Sequence, residues 1–175
     1  FKVIPLHLDS TTVYWTRPYH IAIAELSSRN YYLILVQTMY NHSKSVVRTL
    51  TSSDQCLHVG ALLKAPYNQL SLFRRMKYYH LPCQSSVSCF YDEVQICLCR
   101  EFGAQRLANC FEFNHTTTRD CRGRSACENE AQCLEDSISC PQTSMCICKT
   151  CFFGARCQFS SSGFSLSLDG ILDYH

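Results

Sequence analysis

Residues 121–157 read CRGRSACENEAQCLEDSISCPQTSMCICKTCFFGARC, and eight of them are cysteine. The spacing is Cys121-x5-Cys127-x5-Cys133-x6-Cys140-x5-Cys146-x-Cys148-x2-Cys151-x5-Cys157. A segment so short and so poor in aliphatic residues has little core with which to offset its conformational entropy, so covalent staples must hold it. Each closed loop of this size contributes roughly 2–4 kcal/mol. Cys146 and Cys148 are poorly placed to bond each other and well placed to take separate partners. Gly154 suits a turn that needs positive φ, beside Phe152 and Phe153, whose rings cover the sulfurs. The pair Cys148-x2-Cys151 has zinc-like spacing, but a structural zinc site needs a second close pair, and fourteen thiols with seven scattered histidines leave too many ligands unassigned. No metal or other cofactor is expected.

The rest of the chain is built differently. All fourteen cysteines of the 175 residues lie between Cys56 and Cys157, and residues 1–55 have none. That opening segment reads as strands: Ile21–Ala24 and Tyr31–Val36 are rich in β-branched and aromatic residues, with the polar turn Ser27–Asn30 between them. Both runs are apolar on both faces, as in a strand covered on each side. Val3–Leu8, Val13–Thr16 and the segment opening at Val46 are shorter strand candidates. Residues 62–81 stay open: Leu62, Leu63, Leu70, Phe73 and Met76 fit a helix, while Leu70, Leu72, Met76 and Tyr78 alternate as in a strand. Arg74, Arg75 and Lys77 read as a solvated face. The fold expected is mainly β. It comprises a small sheet or sandwich-like region over 1–55, a cysteine-rich segment over 56–110, a stapled module over 121–157 and a linker-like tail over 158–175.

Several function classes recede on this evidence. Net charge is +2 with 17% charged residues, which gives no electrostatic case for nucleic acid or for a strongly anionic membrane. No nucleophile elbow, phosphate loop or zinc-protease helix is present. The histidines are scattered, and Asp92-Glu93 would point apart on a strand. Cysteine catalysis is excluded if every thiol is bridged, because the thiolate is the nucleophile. An even cysteine count and two sequons, Asn41-His42-Ser43 and Asn114-His115-Thr116, point to an oxidising, extracellular setting with Asn41 and Asn114 as glycan acceptors. The chain opens on Phe1 and reads as a piece of something longer. Its longest apolar run, Tyr31–Val36, is far short of the ~20 residues needed to cross a bilayer.

The ending Cys146-x-Cys148, then Phe152-Phe153-Gly154 and Cys157, resembles the EGF-like family, as does Cys127-Glu-Asn-Glu-Ala-Gln-Cys133 with Asn129 kept and the usual Gly-Gly replaced by Glu130-Ala131. The resemblance implies the bridges Cys121–Cys133, Cys127–Cys146 and Cys148–Cys157. Cys140 and Cys151, extra to the family pattern, then pair with each other. A divergent echo with a long insertion lies upstream, in Cys83-x5-Cys89-x7-Cys97-x-Cys99-x10-Cys110. There the analogy implies Cys56–Cys89, Cys83–Cys97 and Cys99–Cys110, and Ser88 matches a family O-fucosylation position. The acidic residues of calcium-binding members are mostly missing ahead of Cys121 and Cys56, so calcium is not expected. What the family implies is a non-catalytic extracellular module that gives spacing and protein recognition, with an unidentified protein ligand. More loosely, the layout is similar to ectodomains of invertebrate receptor-like proteins with a seven-helix membrane bundle, in which attachment lies outside this segment and Gly163–Leu172 is juxtamembrane. The alternative is a secreted matrix or growth-factor-like protein.

Overall fold

The computed structural model describes residues 2–6, 13–15, 18–26, 29–39, 46–116, 120–121, 125–136 and 139–161. The fold is mainly β, with six disulfides. It divides into two compact units, one of residues 1–7 and 18–117 and one of residues 8–17 and 118–175.

Seven strands make the sheet of the first unit, and their order in the sheet is their order in the chain. They are β1 (Lys2–Leu6), β2 (Ile21–Leu26), β3 (Asn30–Val36), β4 (Gln55–His58), β5 (Cys89–Tyr91), β6 (Gln95–Phe102) and β7 (Gln105–Glu112). β2 and β3 form the antiparallel pair that their composition predicts, with Arg29 at φ 66° in the turn. Ile23 and Ala24, adjacent in β2, are both fully buried, which matches a strand covered on both faces. No boundary falls at residue 55. β3 pairs directly with β4 through Tyr31↔Cys56 and Tyr32↔Gln55, so the cysteine-free and cysteine-bearing segments share one sheet.

β4 and β5 run parallel, which requires a long crossover between them. Residues 59–88 supply it as short helical turns, α1 (Val59–Leu62), α2 (Leu72–Arg75) and α3 (His80–Gln84), with 3-10 turns between. This resolves the ambiguity of residues 62–81: elements of three to five residues are too short to show a helical period. The sheet has two covered faces, read most directly from β6. Ile96 and Leu98 point into one core with Ile23, Tyr31, Cys56, Cys89 and Phe113. Cys97 points into the other, with Val59, Leu63, Tyr79, Cys83 and Phe90. Each large apolar side chain so buried contributes roughly 1.5–3 kcal/mol.

The β6–β7 hairpin fixes the sulfur pairing. Its tight turn leaves only Gly103-Ala104 between the paired Phe102 and Gln105, and Gly103 takes φ 62°, as the first central residue of such a turn requires. This register sets Cys97 directly opposite Cys110, with Cα atoms 3.9 Å apart, and the two are bridged. Cys99 lies two residues along on the same face and bonds Cys83 of α3. The expected Cys83–Cys97 and Cys99–Cys110 are therefore exchanged. Cys56–Cys89 is formed as expected and joins the neighbouring strands β4 and β5.

The second unit has two small hairpins, β8 (Gln132–Glu135) with β9 (Ser144–Ile147), and β10 (Phe152–Phe153) with β11 (Phe159–Ser160). Val13 adds one antiparallel bridge to Ile147, all that is described of the expected Val13–Thr16 strand. Three bridges, Cys121–Cys133, Cys127–Cys146 and Cys148–Cys157, coincide with those the sequence resemblance implies. Cys140–Cys151 is not formed. Cys140 stands in the loop before β9 and Cys151 past its far end. A four-residue strand spans about 13 Å, roughly twice the Cα separation a bridge accepts. Both cysteines are exposed. Among the described residues no helix is long and apolar enough to cross a membrane.

Candidate recognition site

One buried cluster of the second unit is largely sulfur: Cys146, Cys148 and Cys157 pack with Cys127, Ala131 and Phe152 against them, while Phe153, expected over the sulfurs, is exposed; Leu134, Met145 and Ile147 are buried as well. Around it the backbone bends sharply. Asn129 and Glu130 both have φ near +55°, and the Asn129 amide donates to the carbonyl of Cys157 at 2.7 Å, tying the loop after Cys127 to the last cysteine. Asparagine tolerates this left-handed conformation better than most residues, which suits Asn129 to its position. Gly154 has φ 98°, and a Cβ on it would lie 2.6 Å from Gln158 Oε1 and 2.9 Å from the Phe159 ring. The turn therefore closes only around glycine. Its closure presents Phe153 and Phe159 side by side, ring centroids 5.5 Å apart, 38% and 53% exposed. Paired exposed aromatics on a stapled frame are a rigid, low-entropy contact surface of the kind that anchors protein interfaces.

Polar contacts brace this turn from the side. Arg156 donates from Nε to the carbonyl of Ala126 at 3.0 Å, and its Nη2 lies 3.0 Å from Glu128 Oε1. Lys149 pairs with Glu130, and that hydrogen bond, with the ammonium charge, holds the Glu130 carboxyl below its ordinary value. The partners are surface groups, so the contribution to stability is small. Among the described residues no cluster of three or more His, Cys, Asp or Glu side chains could hold a metal.

The first unit holds the polar groups that the sequence left scattered, and uses them to fix its core. Asp92 and Glu93 do point apart. Asp92, 1% exposed, accepts from the Tyr79 hydroxyl and from the backbone N–H groups of Val94 and Gln95. Glu93 turns outward to pair with Arg75, with His58 3.8 Å away. Arg75 is thus buried rather than part of a solvated face, while Arg74 and Lys77 are exposed as expected. Burial, followed by the bond to Asp92, raises the Tyr79 hydroxyl far above its usual value. A second knot joins Tyr31 Oη and His115 Nδ1 at 2.8 Å, with the rings of Tyr91 and Phe113 packed around them. Burial, and after it the charge of Arg29, holds His115 below the ordinary histidine value. Sequence reasoning missed both knots, because their members are separated by 13 and 84 residues.

His115 is also the middle residue of a sequon. Beside it Asn114 is exposed, and its side-chain Oδ1 accepts from the Thr116 N–H at 3.0 Å and the Thr116 hydroxyl at 2.8 Å. The Asn114 side chain is thereby held in a local turn. Asn41 lies outside the described residues. No family model, no curated protein and no solved structure matches this chain.

Proposed function

We propose that the chain is a non-catalytic extracellular module of a cell-surface receptor-like or adhesion protein, in which an EGF-like unit at residues 121–157 supplies a rigid recognition surface. The observation that carries this reading is the three-bridge frame of residues 121–157 with Phe153 and Phe159 displayed on its closing turn. A frame held by three disulfides is stable where disulfides persist, on cell surfaces and in secreted chains. Tight turns that fix two exposed aromatics lower the entropic cost of binding a partner. The proposed ligand is a protein, and membrane attachment is assigned to residues outside this segment. Asn114 and Asn41 are the proposed glycan acceptors.

The test is expression through a eukaryotic secretory pathway, followed by peptide mapping under non-reducing conditions. The expected map contains Cys121–Cys133, Cys127–Cys146 and Cys148–Cys157, with a glycosidase-sensitive mass on the peptide carrying Asn114. A chain retained and degraded in the secretory pathway, yet stable when reduced in the cytosol, would overturn the reading.

A further inference from the structure

β7 ends the seven-stranded sheet, and among the described residues no strand pairs with the side of it that faces away from β6. Which of its groups face that way follows from the hairpin register. Antiparallel residues alternate between pairs that exchange backbone hydrogen bonds and pairs that do not, the latter with the closer Cα atoms. Cys97 and Cys110, 3.9 Å apart, are a pair of the second kind. The Phe113 N–H donating to the Val94 carbonyl, three positions along, confirms the phase. Residues 105, 107, 109 and 111 thus bond β6, and Arg106, Ala108, Cys110 and Glu112 turn their N–H and C=O groups outward. Such an edge is a template for another strand, and native edges are usually short, charged at the centre or interrupted by proline. β7 is eight residues long, carries no proline and has its charges only toward its two ends, at Arg106 and Glu112.

Those two charges select the occupant. Pairing β7 antiparallel with β7 of a second copy about Asn109 sets Arg106 opposite Glu112 of the other copy, Ala108 opposite Cys110, and Asn109 opposite itself. In that register both members of the Arg106–Glu112 and Ala108–Cys110 pairs are outward-facing residues, so every outward backbone group between Arg106 and Glu112 finds a partner. Shifting by two residues in either direction keeps the backbone phase but separates the charges. The contact is self-complementary, as a two-fold interface must be. Arg106 already donates to the carbonyls of Ser85 and Val87, which fixes its side chain over the sheet and leaves further donors for a carboxylate. We infer that the β7 edge is a homodimer interface, joining two copies into one continuous sheet through residues 106–112 with Arg106 and Glu112 paired across it.

The experiment is sedimentation velocity on the oxidised chain over about 1–500 µM, the range in which a single strand pairing of this size associates. The expected result is reversible dimerisation. Ala108→Pro removes an outward N–H on an edge strand, a place where the monomer tolerates proline; it should raise the dimer dissociation constant at least about tenfold. Glu112→Lys sets like charges opposite each other twice and should weaken the dimer roughly tenfold. Formation of Cys97–Cys110 checks that the proline variant folds, and Glu112→Lys carries the test if it does not. A monomer throughout the range overturns the inference. So does a dimer that neither variant weakens, and weakening by the proline alone overturns the register.

Discussion

In residues 18–117 the sulfurs join elements already packed on apolar side chains, with Tyr31, Phe90, Ile96, Leu98 and Val59 almost wholly buried on the two faces of one sheet. In residues 120–161 the most deeply buried residue is Cys157, and its cluster is cysteine with Ala131 and Phe152 at the margin. The same bond therefore has two roles. In the larger unit it reinforces an apolar core; in the smaller, where Leu134, Met145 and Ile147 are the large apolar side chains buried, the bridged cysteines are themselves a large part of what is buried. The difference teaches that three bridges in each unit do not make the two equally dependent on oxidation.

The largest test of that contrast removes one bridge from each. Cys127→Ser with Cys146→Ser should unfold residues 121–157, since about 2–5 kcal/mol is lost from a unit with few large buried side chains besides Leu134, Met145 and Ile147. Hydrogen exchange would show loss of protection confined to β8–β11. Equal loss in β2–β7 would break the comparison. The matching pair, Cys56→Ser with Cys89→Ser, should lower the melting temperature of the first unit but leave its sheet cooperative.

Next in size is a cavity. Phe90→Ala empties a fully buried site beneath the helical crossover and should destabilise the first unit by about 3–5 kcal/mol in urea, with the second unit's transition unchanged. A common shift in both transitions would show that the two unfold as one.

The smallest effect sharpens the comparison through pH. His115 is held below its usual value in the folded chain, so the unfolded chain takes up its proton first. The stability from the neutral ring is complete above the ordinary histidine value of about 6.5 and is lost as pH falls below it. Thermal unfolding of the first unit should move down between pH 7.5 and 5.5. His115→Gln, which keeps the sequon, should flatten that slope. The Asp54 carboxyl, lowered by its bonds to Thr51, acts in a separate and more acid window, and falling pH costs stability there also.

What the sequence made legible was local. The β2 and β3 runs and the turn between them follow from composition, and the three bridges of residues 121–157 are those that the resemblance of their motifs to the EGF-like family implies. The rest was set by distant partners. Cys97 and Cys99 share a strand face, so spacing alone does not say which of them meets Cys110; the two-residue turn at Gly103 decides it. Cys140 and Cys151 look like a leftover pair until β9 is placed between them. The absence of cysteine before residue 56 suggested a boundary, yet Tyr31 pairs with Cys56 across it. Arg75 reads as a surface cation until Glu93, eighteen residues on, meets it.

The crossover between β4 and β5 has a consequence for how the chain is made. During synthesis Cys56 emerges 33 residues before its partner Cys89, and Cys83 arrives first. Pairing in order of appearance would give Cys56–Cys83, Cys89–Cys97 and Cys99–Cys110, none of which is present. The native set interlocks instead, with Cys83 inside the first loop and Cys99 beyond it, and Cys97 inside the second loop. A bridge made in that order would have to be undone by thiolate attack before the native set could form. If pairing follows the order of synthesis, cells poor in disulfide isomerase should deliver the folded chain slowly.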